Sequence, residues 1–159
     1  MLALLPQLRG FARFLTGQAA LADDLVQETV LRALASLDQF AVGTSMKAWL
    51  YTIARNLFYE QSRRRRRERD VMSDYALRPD RPESGLGEGE SDDLRDLDGA
   101  IWQLSPSLRE ALVLVGVQEM TYSEAAEVCG VRVGTIKARV SRARSQILAY
   151  MATGQKMEP

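Results

Sequence analysis

The chain has 159 residues, 46% of them hydrophobic, with 21 basic and 21 acidic side chains and no histidine. That length and apolar content suit one ordinary folded domain or two small ones and exclude a wholly disordered chain. Without histidine the commonest zinc ligand and general base are missing, and the single cysteine, Cys129, excludes an intrachain disulfide and fits a reducing cytoplasm.

The zero net charge conceals a strong asymmetry. Residues 61–69 and 132–159 each carry six cations against one acid, whereas 70–96 carry nine acids against three cations. Two basic patches flanking an acidic stretch say much about partners and little about fold.

The opening MLALLPQLRGFARFL places Leu4, Leu5, Leu8, Phe11, Ala12 and Leu15 on one helix face, with Thr16 and Gly17 ending the helix. Its arginines Arg9 and Arg13 lie on the helical pattern, and it lacks the charged start and small-residue cleavage site of a signal peptide. No apolar run approaches the roughly 20 residues that span a membrane, so no membrane association is expected. A second helix beginning near Ala20 shows Leu21, Leu25, Val26, Val30, Ala33, Leu34 and Leu37 on its expected core side. Asp23, Asp24, Gln27, Glu28 and Arg32 face the other way, the two aspartates suiting a first turn where the helix dipole favours anions.

The segment FAVGTS interrupts the pattern, and Ser45 can cap a third helix through MKAWLYTIARNLFYEQSRRRRRERD. Met46, Trp49, Leu50, Ile53, Ala54 and Leu57 form its expected core face. Tyr51, Arg55, Phe58 and Ser62 fall on another face, either because the helix is buried on two sides or because its aromatic rings serve a ligand. Five consecutive arginines follow, Arg63, Arg64, Arg65, Arg66 and Arg67: a solubilising run or a grip on a polyanion. From Asp70 to Asp96 the composition is that of a flexible acidic linker.

A second helical block follows over 97–159. Leu97, Ile101 and Leu104 share one helix, and Pro106 suits the first position of another through Gln118. TYSEAAEVCGVRVGTIKARVSRARSQI then has the grammar of a helix-turn-helix. Thr121 and Glu124 form a capping box, Ala125 and Ala126 permit close helix approach, Gly130 supplies a left-handed turn, and Val131 and Val133 fill the space between helices. The last helix turns Ile136, Val140, Ala143 and Ile147 inward and Lys137, Arg139, Ser141, Arg142 and Arg144 outward. No acid occurs between Arg132 and Tyr150, as docking against phosphates in a major groove requires.

ADDLVQETVLRALASLDQF, MKAWLYTIARNLFYEQSRRRRR and VGTIKARVSRAR, in that order, resemble an extracytoplasmic-function sigma factor of bacterial RNA polymerase, nearest to the alphaproteobacterial general stress response subgroup. The resemblance implies an all-α protein of two small helical domains, region 2 over 1–69 and region 4 over 97–159, joined by the acidic linker 70–96. It implies that Asp23, Asp24, Gln27, Glu28 and Arg32 dock on the clamp helices of the polymerase β′ subunit, and that region 4 meets the β flap. The loop Phe40 to Ser45 and the following helix would melt and read the −10 element. Tyr51, Arg55, Phe58 and Tyr59 would hold unpaired bases, with Arg63 to Arg67 as a phosphate clamp. Arg132, Gly134, Thr135, Lys137, Ala138, Ser141 and Arg142 would meet the −35 element, the Gly134 and Thr135 amides or hydroxyl at a phosphate. Family members often carry serine at the position of Ala138, which here offers only a methyl group.

The expected partners are core RNA polymerase, promoter DNA and an anti-sigma factor; the expected state is a cytoplasmic monomer when unbound, nucleoid-associated in holoenzyme, acting in a stress response. No catalytic residue, metal or cofactor is expected. Two other readings stay open: a free-standing helix-turn-helix regulator, which would leave the N-terminal block unexplained, and a sigma-like decoy that captures an anti-sigma factor without binding DNA. Cys129 reads as a small buried residue rather than an oxidant sensor.

Overall fold

The computed structural model describes residues 1–72 and 91–154, and all regular structure among them is helical. The chain divides into two units, Met1–Pro82 and Glu83–Pro159.

The first unit is built on α1 (Leu5–Thr16), α2 (Ala19–Ala35) and α3 (Met46–Met72), each of which packs on the other two. Gly17 ends α1 in the left-handed region, φ 72°, and its amide donates to the Arg13 carbonyl at 2.8 Å. Buried between these helices are Leu8, Phe11 and Ala12 of α1, Ala22, Leu25, Thr29 and Ala33 of α2, and Ala48, Leu50, Tyr51, Ala54 and Leu57 of α3; Ala12, Ala22, Leu25 and Leu57 form one packed cluster. Ser45 caps α3 as its sequence position suggests, its hydroxyl accepting from the Ala48 amide at 3.1 Å.

The inner side of α2 differs from the hydrophobic pattern. Leu34 and Leu37, expected in the core, are 56% and 45% exposed, and Leu31 is 64% exposed. The buried stripe is Ala22, Leu25, Thr29 and Ala33, and its three small residues let the neighbouring helices approach closely. Thr29 is tolerated there because its hydroxyl donates to the Leu25 carbonyl at 2.6 Å and leaves no unsatisfied donor. The helix also starts at Ala19, so Asp23 and Asp24 lie beyond its first turn. Asp23 is held by Arg9 of α1 at 2.7 Å rather than by the helix dipole alone.

The second unit contains α4 (Asp92–Gln103), α5 (Pro106–Leu112), α6 (Tyr122–Cys129) and α7 (Val133–Thr153). Asp92 and Asp93 lie in the first turn of α4, where acids suit the N-terminal dipole, and Asp96 follows within the helix. Residues 73–90 of the expected linker lie outside the described residues. Arg109 of α5 closes the end of α4, donating to the carbonyls of Ile101, Trp102 and Leu104 at 3.3, 3.1 and 2.9 Å while its guanidinium lies 4.3 Å from the Trp102 ring centroid. Helix α5 does not run on as a regular α-helix to Gln118. It widens into a π-turn over Val113–Val117, with the Gln118 amide donating to the Val113 carbonyl at 2.9 Å.

α7 is the spine of this unit, packing on α4, α5 and α6 through Ile136, Val140, Ala143 and Ile147, all buried as their spacing predicts. The capping box is complete. The Glu124 amide donates to the Thr121 hydroxyl at 3.1 Å, and the Thr121 amide donates to the Glu124 carboxylate at 2.8 Å. Thr121→Ala will therefore lower the stability of this unit by about 1 kcal/mol, read as a lower midpoint in urea unfolding; an unchanged midpoint would show that the cap contributes nothing. Gly130, at φ 64°, ends α6 and makes the turn into α7.

Candidate nucleic-acid interface

Helix α7 brings the C-terminal site residues together. Arg132 precedes its first turn, which contains Gly134 and Thr135, and Lys137, Ala138, Ser141 and Arg142 follow over the next two turns. Arg132, Gly134, Lys137, Ser141, Arg142 and Arg144 are exposed; Thr135, Ala138 and Arg139 are half-buried. The face is cationic because the buried stripe claims every large aliphatic residue from Ile136 to Ile147 and leaves the arginines outward. The Thr135 amide, one of the groups expected at a phosphate, donates to the Arg132 carbonyl at 3.0 Å. Ser105 and Ser107 at the start of α5 share a groove with Gly134, Thr135, Ala138, Arg139 and Arg142. Sequence reasoning missed those two serines; the Ser-Pro-Ser at a helix start was their only signal.

In the first unit the site residues separate. Tyr51, expected to stack on a base, is wholly buried, its ring stacked on Phe11 at 4.7 Å with 3° between planes. Burial pushes its phenol well above the ordinary value of 10.0. A ring enclosed in this way has no face to offer a nucleotide, and it belongs to the core. Phe58 packs against the cluster of Ala12, Ala22, Leu25 and Leu57 and meets Tyr59 edge-on at 5.3 Å. The Arg55 guanidinium lies over the Tyr59 ring at 4.7 Å, so this cation and this half-buried ring form one amphipathic plate.

Arg63 to Arg67 are all exposed on the last turns of α3, and Arg64 pairs with Glu60 at 3.7 Å. Successive residues of a helix fan around its axis, so the five point in different directions. The loop before α3 exposes Val42 at 96% and turns at Gly43, φ 94°. Phe40 and Trp49 pair at its base, centroids 5.2 Å apart, both rings half-buried.

On α2, Asp24, Gln27 and Arg32 are exposed, Asp23 and Glu28 half-buried, and Glu28 reaches Arg32 at 3.8 Å. The same helix exposes Leu31 and Leu34, and the 3-10 turn Leu37–Gln39 that follows it exposes Leu37, a mixed charged and apolar surface of the kind that binds other proteins. Among the described residues no cluster of histidine, cysteine and acids could hold a metal ion, and no helix is long and apolar enough to cross a membrane.

Residues 1–68 match the family model of sigma-70 region 2, and residues 94–147 match that of sigma-70 region 4. The chain is 47% identical over 152 residues to the ECF RNA polymerase sigma factor EcfG of Rhodopseudomonas palustris, covering 95% of this chain and 82% of that protein. It is 38% identical over 132 residues to the ECF RNA polymerase sigma factor SigC of Mycobacterium tuberculosis, covering 80% and 69% respectively. The sigma factor RpoE of Bartonella quintana, solved in complex with the anti-sigma factor NepR, superposes with a TM-score of 0.82 at 39% identity, over 97% of this chain and 95% of that one.

Proposed function

Because the chain belongs to the extracytoplasmic-function sigma factors of bacterial RNA polymerase, we propose that it grips promoter DNA through two separate surfaces, one in each unit. The exposed, acid-free cationic face of α7, set above a capped and glycine-turned α6, carries this reading. Its N-terminal turns enter the major groove of the −35 element: Lys137, Ser141 and Arg142 reach base edges, Ala138 makes a methyl contact, and Arg132 with the Gly134–Thr135 turn meets the backbone. In the first unit the Arg55–Tyr59 plate and the loop from Phe40 to Ser45 meet the melted −10 strand, and the arginine run holds phosphates. The charged and leucine-rich face of α2 docks on the β′ clamp helices, and region 4 meets the β flap. A sigma factor supplies binding energy for opening the promoter, and the polymerase does the chemistry.

An anti-sigma factor that covers these surfaces is the expected means of control, in a cytoplasmic stress response. The Bartonella relative, solved with such a protein, supports that reading.

Run-off transcription with purified core polymerase tests it. Initiation will depend on the protein, and Arg142→Ala will weaken it at selected −35 sequences by about 1–3 kcal/mol, the usual value of one good base contact. If core polymerase is neither bound nor activated while the protein still captures an anti-sigma factor, the decoy reading replaces this one.

A further inference from the structure

Tyr122 entered none of the sites above, yet the structure places it against a residue that did. The Thr121–Glu124 capping box fixes Tyr122 as the first residue of α6, half-buried. Across the turn at Gly130, the Lys137 ammonium sits over its ring, 5.7 Å from the centroid. That distance lies within the range of about 6 Å in which an aromatic face attracts a cation.

We propose that Tyr122 is a positioning residue that sets where Lys137 reads the −35 element. Lysine is a point charge on a flexible four-carbon stem, and an exposed lysine on a helix samples many rotamers. A ring under the ammonium narrows that range before DNA arrives, so part of the ordering cost is met in the free protein. The interaction uses the π face and needs no phenol hydroxyl. Phenylalanine should therefore replace tyrosine here, and leucine of similar bulk should not. The proposal rests on α7 being the −35 reader.

Two measurements separate failure of the proposal from failure of that reading. In the free protein, NMR will show the Lys137 side-chain methylene protons shifted upfield by the Tyr122 ring, a shift kept in Tyr122→Phe and lost in Tyr122→Leu. No upfield shift in the wild-type protein overturns the proposal whatever the DNA result. With holoenzyme, transcription from a library of randomised −35 elements will compare wild type, Tyr122→Phe, Tyr122→Leu, Lys137→Gln and the Tyr122→Leu/Lys137→Gln pair. Tyr122→Leu will reduce discrimination by about two- to five-fold, the range an exposed cation–π contact provides. It will do so at the base pairs that Lys137→Gln affects, with no further change in the double variant and with Tyr122→Phe unchanged. A uniform loss across all sequences, or loss at base pairs that Lys137→Gln leaves alone, assigns Tyr122 to packing and overturns the proposal. If Lys137→Gln itself changes no preference, the −35 assignment of Lys137 fails and the proposal falls with it.

Discussion

Replacing Tyr51 by alanine will destabilise the first unit by about 3–5 kcal/mol, the range for removing a buried aromatic ring. The ring is wholly buried and stacked on Phe11, and it joins the first helix of the unit to its third. A small helical unit has a total stability of about 5–15 kcal/mol at most, so such a loss leaves a large unfolded fraction. Chemical denaturation followed by circular dichroism will show the early transition, with the second unit unfolding as before. Tyr51→Phe retains the stack and will cost less. The same burial predicts alkaline sensitivity. The folded state raises the phenol above its ordinary 10.0, so its contribution to stability is fully present below that value and is lost as pH rises beyond it. An alanine variant as stable as the parent would show that Tyr51 is not a core residue and would reopen the base-stacking role that the family resemblance implied.

Changing Arg63, Arg64, Arg65, Arg66 and Arg67 together to glutamine will weaken promoter binding by holoenzyme at every sequence and flatten its dependence on salt. Each cation that neutralises a phosphate contributes about 0.9 to the slope of log affinity against log salt. Because the run fans around the axis of α3, only part of it can face one duplex, and the slope should fall by about two to three. Fluorescence anisotropy across a salt series measures this directly. The substitution leaves the fold alone: all five side chains are exposed, and the Glu60–Arg64 pair it removes is a surface contact, worth little. An unchanged slope would mean that the arginines only solubilise the helix.

The features legible in the sequence are those set by near neighbours in the chain. The Thr121–Glu124 box, the Gly130 turn, the Ser45 cap and the stripe from Ile136 to Ile147 each depend on spacings of a few residues, and each forms as read. The facing of α2 was legible at Leu25 and Ala33 but not at its C-terminal end, where Leu34 and Leu37 are exposed, because leucines weigh more than alanine or threonine in any hydrophobic pattern. Helix contacts in this unit instead favour the small residues Ala22, Thr29 and Ala33. For Tyr51 the sequence left two readings open, burial on two sides or a ring serving a ligand, and burial is the one the structure shows; the choice is decided by Phe11, on a helix far away in sequence. The cationic face of α7 was legible because the acids are absent, whereas the Lys137–Tyr122 contact spans a turn whose geometry no local pattern encodes.

The length of α3 has a mechanical consequence. Leu57 and Phe58 pack in the core cluster with α1 and α2, Gln61 and Ser62 are half-buried, and Arg67 lies ten residues beyond Leu57, so the exposed arginines ride towards the end of an arm of about 15 Å at a helical rise of 1.5 Å per residue. A tilt of about 10° at the base of such a lever displaces its tip by about 2.6 Å, comparable with the length of a charge-assisted hydrogen bond. Substitutions at Ala54 or Leu57 that reseat the helix by a fraction of a turn would thus move guanidinium groups they never touch. The packing of this small core acts as the fulcrum that aims the basic arm.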